Sequence, residues 1–446
     1  MAAGSGPPSR SSRSPDAAPH DHPALAGLAA THLDWSTMRV RVAHPADHSV
    51  LYDLPLEVDL EEWTMDNVHH VLGIHRNTVK LVEFPDLSYV VKELPDDLVD
   101  REYRFLGEIA DAGLPTVDRV AAVTERGDGR HGLVITRHLD YSLPYRTLLM
   151  GRGLAIPYLG EKLLDALVVL LVRIHLAGFF WGDCSLSNTL FRRDAGALRA
   201  FIIDVETAEH HDHLSEGQRA YDLSLATDNV AGGLLDLQAG GQLAPDIDPI
   251  EVALQISDRY GALWNEITAP GDATTDTPAA MRDRLNRLQE AGFDVDEIEV
   301  VTGPGESGER VTFVPRVVEH GYHAERLADL TGLDAGENQA RRLLQDITEY
   351  QAQLTAETGA PVRFNIAAVR WLDRVFEPTI AAIPTELLDR LEAAEIFHQI
   401  LEHRWYESER TGRALSIDDI LDDYLKLLQE APPERLAMDE VDTDDL

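Results

Sequence analysis

The sequence predicts an α+β fold of two lobes, a small antiparallel sheet lobe and a helical lobe, with an additional, mostly helical C-terminal domain. Three observations support this prediction. Short β-type segments surround one amphipathic helix between residues 78 and 136, residues 157–177 form a helix that is apolar nearly all round, and helical patterns dominate from Pro249 onward. A helix that is apolar on every face lies inside a domain, so residues 157–177 should form the centre of the helical lobe.

The sheet lobe is predicted from strand and turn patterns. Four segments have the composition of strands, and these are 78–84, 88–94, 117–124 and 132–136. The first two flank Pro85-Asp86-Leu87, which predicts a hairpin. A helix is expected over about 96–112, because acidic residues lie near its start and Gly113 follows its end.

The helical lobe begins with the apolar helix at 157–177. Pro157 lies near its start and Gly178 just past its end, which is the usual asymmetry of helix termini. A polar loop follows directly, then an apolar strand at 200–203 and a long helix at about 215–237. These elements predict that the polar loop opens from the end of a buried helix.

The region after Pro249 is predicted to be a separate domain. Six helical stretches are expected in it, at about 249–267, 277–291, 335–357, 364–375, 384–404 and 416–429. A hairpin near 297–314, around a glycine-rich turn, interrupts them.

These patterns divide the chain into five parts. They are a disordered tail (1–25), the sheet lobe (26–140), the helical lobe (141–245), the mostly helical domain (246–432) and an acidic tail (433–446). The first residues are rich in Ser, Pro, Gly and Arg and have no apolar run, which is typical of disorder rather than of a signal peptide.

The formal net charge of -39 over 446 residues argues against nonspecific attraction to nucleic acid or to an anionic membrane. We therefore expect no nucleic-acid partner. The longest apolar run, residues 166–172, is too short to span a bilayer, so we expect no membrane insertion. Cys184 is the single cysteine, which excludes an intramolecular disulfide and fits a cytoplasmic location.

Three polar residues form the main candidate site. Asp183 is followed five positions later by Asn188, and an apolar strand then ends at Asp204. This order and spacing is typical of phosphoryl transfer, with Asp183 facing the substrate hydroxyl and Asn188 and Asp204 holding a metal that bridges nucleotide phosphates. Asp183 alone is also explained as a turn residue after a helix, but that explanation leaves Asn188 and Asp204 unexplained.

Lys92 and Glu102 are candidate partners for the nucleotide phosphates. Strand alternation places Lys92 on one face with Val90 and Leu94, and Glu102 lies on the apolar face of the helix at 96–112. A buried carboxylate needs a positive partner, and Lys92 is the natural candidate. The alternatives are a Lys that reaches solvent at a strand edge and an exposed Glu paired with a neighbouring arginine. Glu206 is interpreted as a metal ligand or a solvent-facing residue, and the second is favoured.

The stretch from Trp181 to Asn188 resembles the catalytic loop of bacterial lipopolysaccharide kinases, aminoglycoside phosphotransferases and RIO kinases, within the protein-kinase-like superfamily. Residues 203–206 resemble the metal-binding segment of these kinases, and residues 89–92 resemble the strand that carries their phosphate-binding Lys. Residues 175–183 and 217–223 resemble a bacterial family of unknown function that joins a lipopolysaccharide-kinase-like core to an uncharacterised C-terminal region.

The resemblance implies a bilobal protein-kinase-like fold and the cofactors ATP and Mg2+. It also implies that Thr136, Arg137 and His138 lie in a hinge whose backbone contacts adenine, and that Asp222 supports the catalytic loop. Three features depart from the family pattern. Trp181 stands where a His is usual, only ten positions separate Lys92 from Glu102, which is fewer than in eukaryotic protein kinases, and the glycine-rich phosphate loop is represented only by residues 73–77.

Two functions stay open at this stage. The first is an ATP- and Mg-dependent phosphotransferase acting on an unknown hydroxyl-bearing substrate. The second is a nucleotide-binding pseudokinase with a regulatory or scaffolding role, in which the C-terminal helical domain offers a surface to a protein partner. The complete set of charged residues favours the first, and the weak glycine-rich loop favours the second.

Overall fold

The computed structural model describes residues 38–71, 77–85, 87–145, 159–243, 247–268, 271–272, 295–305, 308–317 and 321–430. Four predictions lie outside these residues. They concern the disordered tail, the acidic tail, the helix at 277–291 and most of the glycine-containing loop at 73–77. The predicted α+β architecture, with a sheet lobe, a helical lobe and a mostly helical C-terminal region, is confirmed.

The sheet lobe contains a six-stranded antiparallel sheet with the strand order β1-β5-β6-β4-β3-β2. The strands are β1 (Arg39–Val42), β2 (Val68–His70), β3 (Val79–Glu83), β4 (Ser88–Leu94), β5 (Arg119–Thr124) and β6 (Gly132–Arg137). Helix α1 (Asp96–Asp111) lies against β5 and β6 and buries its apolar face. The order places β4 in the interior of the sheet, between β3 and β6.

The helical lobe is built around α2 (Leu159–Leu176), whose apolar residues lie in the largest core cluster. The lobe also contains short strands, and these are β7 (Leu143–Pro144), β8 (Phe179–Phe180), β9 (Thr189–Asp194), β10 (Ala197–Ile202) and β11 (Glu209–His210). Two long helices follow, α3 (Glu216–Ala239) and α4 (Pro249–Thr268), which pack on each other. Ser215 and Gln218 form a capping box that fixes the start of α3.

The C-terminal region contains the predicted hairpin and a group of helices. Strands β13 (Val295–Gly305) and β14 (Gly308–Val317) pair in antiparallel fashion, and β12 (Gly271–Asp272) pairs with β14. The helices are α5 (Tyr322–Thr331), α6 (Glu337–Thr358), α7 (Phe364–Trp371), α8 (Glu377–Ala381), α9 (Thr385–Leu388), α10 (Ala393–Thr411) and α11 (Ile417–Glu430). Trp371, Phe376 and Phe397 form the aromatic centre of this region.

Several elements differ from those predicted. The continuous helix expected at 384–404 is two helices, α9 and α10, because the chain bends at 389–392 and Glu392 there pairs with Arg192. The helix expected at 364–375 is α-helical only as far as Trp371. A π-helical turn at 372–376 follows it directly. Helix α5 and seven strands were not predicted, and these strands are β1, β2, β7, β8, β9, β11 and β12. Among the described residues, no helix combines the length and apolar character required of a membrane span.

Candidate functional site

Lys92 lies on β4 and faces three carboxylates. Its Nζ is 2.7 Å from Asp204 Oδ2, 3.0 Å from Glu102 Oε2 and 3.7 Å from Glu206 Oε2. The expected contact between Lys92 and Glu102 is therefore present, and the same ammonium group joins the sheet lobe to the segment after β10. Burial lowers the pKa of Lys92, but Glu102 and Asp204 outweigh this effect, so the pKa lies above its ordinary value.

Glu102 is held on the buried face of α1, where its side chain is 2% exposed. Burial raises the pKa of Glu102 to about 8, because the attraction of Lys92 does not fully offset the loss of hydration and the negative charge of Asp204. One ammonium serves three carboxylates here. Lys92 therefore stays charged, and Glu102 holds its proton more strongly than an exposed carboxyl group does.

This raised pKa predicts a pH-dependent stability. The unfolded chain releases the Glu102 proton near pH 4.5, whereas the folded protein keeps it until about pH 8. The contribution of Glu102 to the free energy of unfolding is fully present below pH 4.5 and is lost as the pH rises through 8. Within this window the free energy of unfolding falls by at most about 1.4 kcal/mol per pH unit. Glu102→Gln is expected to lack this dependence in urea unfolding between pH 5 and 8.5. Asp111→Asn, an exposed change on the same helix, should follow the wild type; parallel profiles for wild type and Glu102→Gln would contradict the assignment.

Asp183 is fixed by two asparagine side chains. Asn188 Nδ2 donates to the main-chain oxygen and to Oδ2 of Asp183, each at 3.0 Å. Asn229 Nδ2 donates to Asp183 Oδ1 at 3.1 Å and to the main-chain oxygen of Cys184 at 3.2 Å. Each carboxylate oxygen has two lone pairs, so Asp183 can still accept a hydrogen bond from a substrate hydroxyl.

Asn229 was not among the predicted site residues. It lies on α3 seven positions after Asp222, and two helical turns place both residues on the same face. That spacing from a predicted supporting residue is the signal that could have found it.

Asp222, for which the resemblance implied a supporting role, contacts the loop that carries Asp183. Its Oδ2 accepts from the amide of Trp181 at 2.8 Å and lies 3.0 Å from His175 Nε2, and its Oδ1 accepts from the amide of Gly182 at 2.8 Å. Gly182 has φ +80°, a conformation that favours glycine. Tyr260 holds the other side of the His175 ring, with its hydroxyl 2.8 Å from Nδ1. Asp222 is fully buried, so the loop is anchored from inside the helical lobe.

Trp181 connects the Asp183 loop to the Asp204 segment. Its indole Nε1 donates to the main-chain oxygen of Asp204 at 2.9 Å, and Thr207 Oγ1 donates to the main-chain oxygen of Trp181 at 2.8 Å. Arg101, next to Glu102 on α1, donates to the main-chain oxygen of Ala208 at 2.7 Å. Trp181, which stands where the family usually has a His, therefore joins the loop of Asp183 to the segment of Asp204.

Two parts of the chain match the models of known protein families. Residues 83–225 match the model of the lipopolysaccharide kinase (Kdo/WaaP) family. The predicted kinase resemblance is confirmed. Residues 262–428 match a second model, a domain of unknown function called DUF4032. The kinase-like segment contains every predicted site residue, whereas Asn229 lies just beyond it.

Two solved structures are similar to the chain. One is titled "WaaP in complex with acyl carrier protein"; it has 17% identity and a TM-score of 0.34, with 57% of this chain and 99% of that chain covered. The other is a crystal structure of an aminoglycoside-3'-phosphotransferase of type VIII, with 15% identity, a TM-score of 0.32 and coverage of 51% and 94%. No curated protein matches the chain.

Glu206 in the kinase-like segment is not directed into solvent, in contrast to the favoured interpretation. Its Oε2 is buried and accepts no hydrogen bond. Together with Glu102 and Asp204 it forms a group of three carboxylates whose oxygens lie within 4.8 Å of one another. Glu206 therefore faces the same space as the predicted metal ligand Asp204.

The predicted hinge is more deeply integrated in the sheet than expected. Thr136 lies within β6 and is paired on both sides. The amide of Arg137 donates to the main-chain oxygen of Asp118 at 2.9 Å, and the amide of His138 donates to that of Ser88 at 2.8 Å. These two amides are therefore used within the sheet lobe, and the role of residues 136–138 as a hinge stays a prediction.

Proposed function

We propose that this protein is an ATP- and Mg2+-dependent phosphotransferase that transfers a phosphoryl group to a hydroxyl-bearing substrate. The observation that carries the proposal is the contact of Lys92 with both Glu102 and Asp204, together with an Asp183 side chain that Asn188 holds in place. Phosphoryl transfer depends on positioning and charge neutralisation, and these five side chains supply the types of group that it requires.

The donor set fits Mg2+. Asp204 and Glu206 offer carboxylate oxygens, and Mg2+ prefers oxygen ligands. Asn188 directs its amide nitrogen to Asp183, which leaves its side-chain carbonyl oxygen as the ligand atom. The buried Oε2 of Glu206 accepts no hydrogen bond and lies 3.7 Å from the Lys92 ammonium group, so a directly bound metal ion would satisfy it. We therefore add Glu206 to the predicted metal ligands Asn188 and Asp204.

The chain's own residues have distinct tasks in this proposal. Lys92 supplies a positive charge to the nucleotide phosphates, and Glu102 keeps the ammonium group of Lys92 in place. Bound Mg2+ would neutralise phosphate charge. Asp183 accepts the hydrogen bond of the substrate hydroxyl, orients its oxygen and takes its proton. Trp181 and Asp222 keep Asp183 at a fixed position relative to Asp204.

The alternative is a nucleotide-binding protein without turnover. One observation favours it: both oxygens of the Asp183 carboxylate already accept from asparagine amides, so a substrate hydroxyl has to share one of them. The two functions differ in one measurable property, the formation of ADP by a protein that binds nucleotide.

The proposal is tested by thermal unfolding with ATP, with and without Mg2+, combined with measurement of ADP formation. The wild type is expected to be stabilised by ATP in a Mg2+-dependent manner. Asp204→Asn is expected to abolish the Mg2+-dependent part, because the substitution removes a carboxylate from the cation. Asp236→Asn, an exposed change on α3, serves as the control.

Each outcome decides between the functions. ADP formation by the wild type supports the phosphotransferase. Mg2+-dependent stabilisation without ADP formation, under all acceptors tried, supports the pseudokinase. Equal stabilisation of the wild type and Asp204→Asn by Mg-ATP would exclude Asp204 as a metal ligand, and the absence of any stabilisation of the wild type would exclude both functions.

A further inference from the structure

The β9–β10 hairpin connects the candidate metal ligands to the C-terminal region. Asn188 immediately precedes β9, and Asp204 follows two residues after β10. At this end of the hairpin Thr189 pairs with Ile202, and at the other end Asp194 pairs with Ala197. Each strand has six residues, so the turn lies about 20 Å from the metal ligands.

The turn of this hairpin caps a helix of the C-terminal region. Asp194 Oδ1 accepts from the amide of Gln339 at 2.9 Å, and its Oδ2 accepts from the amide of Asn338 at 3.2 Å and from Asn338 Nδ2 at 3.3 Å. Helix α6 begins at Glu337, and the residue before it, Gly336, has no side chain to cap it. Asp194 therefore supplies from a distant part of the chain the carboxylate that a helix N-terminus favours.

Gly336 is required for this contact. A Cβ atom at position 336 would lie 2.4 Å from Asp194 Oδ1, a distance that real contacts do not reach. The absence of a side chain at the start of α6 thus allows the Asp194 carboxylate to approach its amides.

A second set of contacts holds the same turn. The amide of Ala195 donates to Glu395 Oε2 at 3.0 Å, and Gln339 Nε2 donates to that oxygen at 2.8 Å and to the main-chain oxygen of Arg193 at 3.1 Å. Glu395 lies near the start of α10 and is buried. The turn is therefore inserted between the first turns of α6 and α10.

The charges at this contact are largely removed from water. Asp194 is 3% exposed, and burial raises its pKa while Arg199 and the amides of Gln339 and Asn338 oppose this rise. Arg192, on the same strand as Asp194, forms an ion pair with Glu392. A buried carboxylate that loses its donors is costly, so the contact should persist in the folded protein.

We propose that Asp194 is a positioning residue through which the C-terminal region fixes the metal-binding end of the β9–β10 hairpin. The inserted turn immobilises one end of a fully paired strand pair, and the other end carries Asn188 and Asp204. The C-terminal region thereby sets the affinity of the site for Mg2+ without contributing a ligand. The part of this inference that concerns Mg2+ affinity rests on the proposed function. The coupling between the C-terminal region and residues 188–206 does not depend on that function.

The test uses the full chain with Asp194→Ala, Asp194→Asn and, as control, Asp329→Ala on the exposed face of α5. Hydrogen exchange of the nucleotide-free protein is measured at residues 188–206 and 337–340. The Mg2+ concentration that gives half of the ATP-dependent thermal stabilisation is measured separately. Asp194→Ala should exchange faster in both segments and raise the half-saturating Mg2+ concentration about 5-fold or more.

Asp194→Asn should lie between the wild type and Asp194→Ala, because Asn also accepts hydrogen bonds at a helix N-terminus. Stabilisation by ATP without Mg2+ should be unchanged in all variants, which a general loss of structure would not allow. The inference is overturned if exchange in Asp194→Ala rises only at 337–340 while 188–206 and the Mg2+ requirement match the wild type. If Asp194→Ala does not fold, hydrogen exchange and the Mg2+ requirement are compared between Asp194→Asn and the wild type instead.

A wild type that shows no Mg2+-dependent stabilisation would refute the proposed function and the metal-affinity part of the inference. The exchange of residues 188–206 then decides the coupling by itself. Faster exchange there in the Asp194 variants supports the coupling, and unchanged exchange excludes it.

Discussion

Replacement of Asp183 with Asn is expected to spare Mg2+-dependent nucleotide binding and to lower ADP formation by about 10²–10⁴-fold, the usual contribution of a general base. The Asn side chain has the size of Asp but cannot take the proton of a substrate hydroxyl. The metal ligands and Lys92 are unchanged, so the thermal stabilisation by Mg-ATP should persist. ADP formation under saturating Mg-ATP gives the measurement.

The surroundings of Asp183 add a second expectation for this variant. Asn188 and Asn229 each donate to one oxygen of the carboxylate. An Asn at position 183 offers one oxygen and one NH2 group, so one of these donors meets another donor. We expect a loss of about 1–3 kcal/mol in the free energy of unfolding, measured by urea denaturation, in addition to the loss of turnover.

Ser187→Ala is the matched control, because Ser187 is exposed in the same loop. It should leave both ADP formation and stability within error of the wild type. Undiminished ADP formation by Asp183→Asn would show that Asp183 is not the base. Loss of Mg-ATP stabilisation in the same variant would show instead that Asp183 acts in nucleotide or metal binding.

The contact between Lys92 and Glu102 could be predicted from sequence because both residues belong to local patterns. Strand alternation gives the face of Lys92, helical periodicity gives the face of Glu102, and ten positions separate them. A carboxylate on an apolar helix face needs a positive partner, and the preceding strand offers one. Each step involves only neighbouring elements, so no knowledge of distant packing was needed.

The parts of the site that could not be predicted depend on distant packing. Asn229 reaches Asp183 across 46 positions, and Asp194 reaches Gln339 across 145. Nothing in the local sequence of Asp194 distinguishes a helix cap from an exposed turn residue. Glu206 was also misjudged for this reason, since its burial follows from the approach of the sheet lobe that carries Lys92.

The end of β6 differs by one residue from the boundary predicted from the sequence. The sequence placed the end of the strand at residue 136, whereas β6 continues to Arg137. The amides of Arg137 and His138, which the resemblance placed in the hinge, donate to the main-chain oxygens of Asp118 and Ser88. Strand ends depend on what the neighbouring strands offer, which a single segment does not reveal.

Replacement of Asp222 with Ala is expected to lower the free energy of unfolding by about 3–5 kcal/mol, the largest stability effect at this site. Asp222 is fully buried and accepts hydrogen bonds from the amides of Trp181 and Gly182, next to His175. The variant leaves two main-chain donors without an acceptor, and each such buried group costs about 1–3 kcal/mol. Urea denaturation at pH 7 gives the measurement.

Asp228→Ala separates this effect from a general loss of helix α3, because Asp228 lies on the exposed side of the same helix. It should change stability by less than about 0.5 kcal/mol. A loss below about 1 kcal/mol in Asp222→Ala would mean that the two amides find other acceptors and that the loop is held by other contacts. A large loss would mean that the position of Asp183 depends on a carboxylate that no substrate touches. ADP formation by the fraction of Asp222→Ala that remains folded should then also fall, since the loop loses its anchor next to the reacting group.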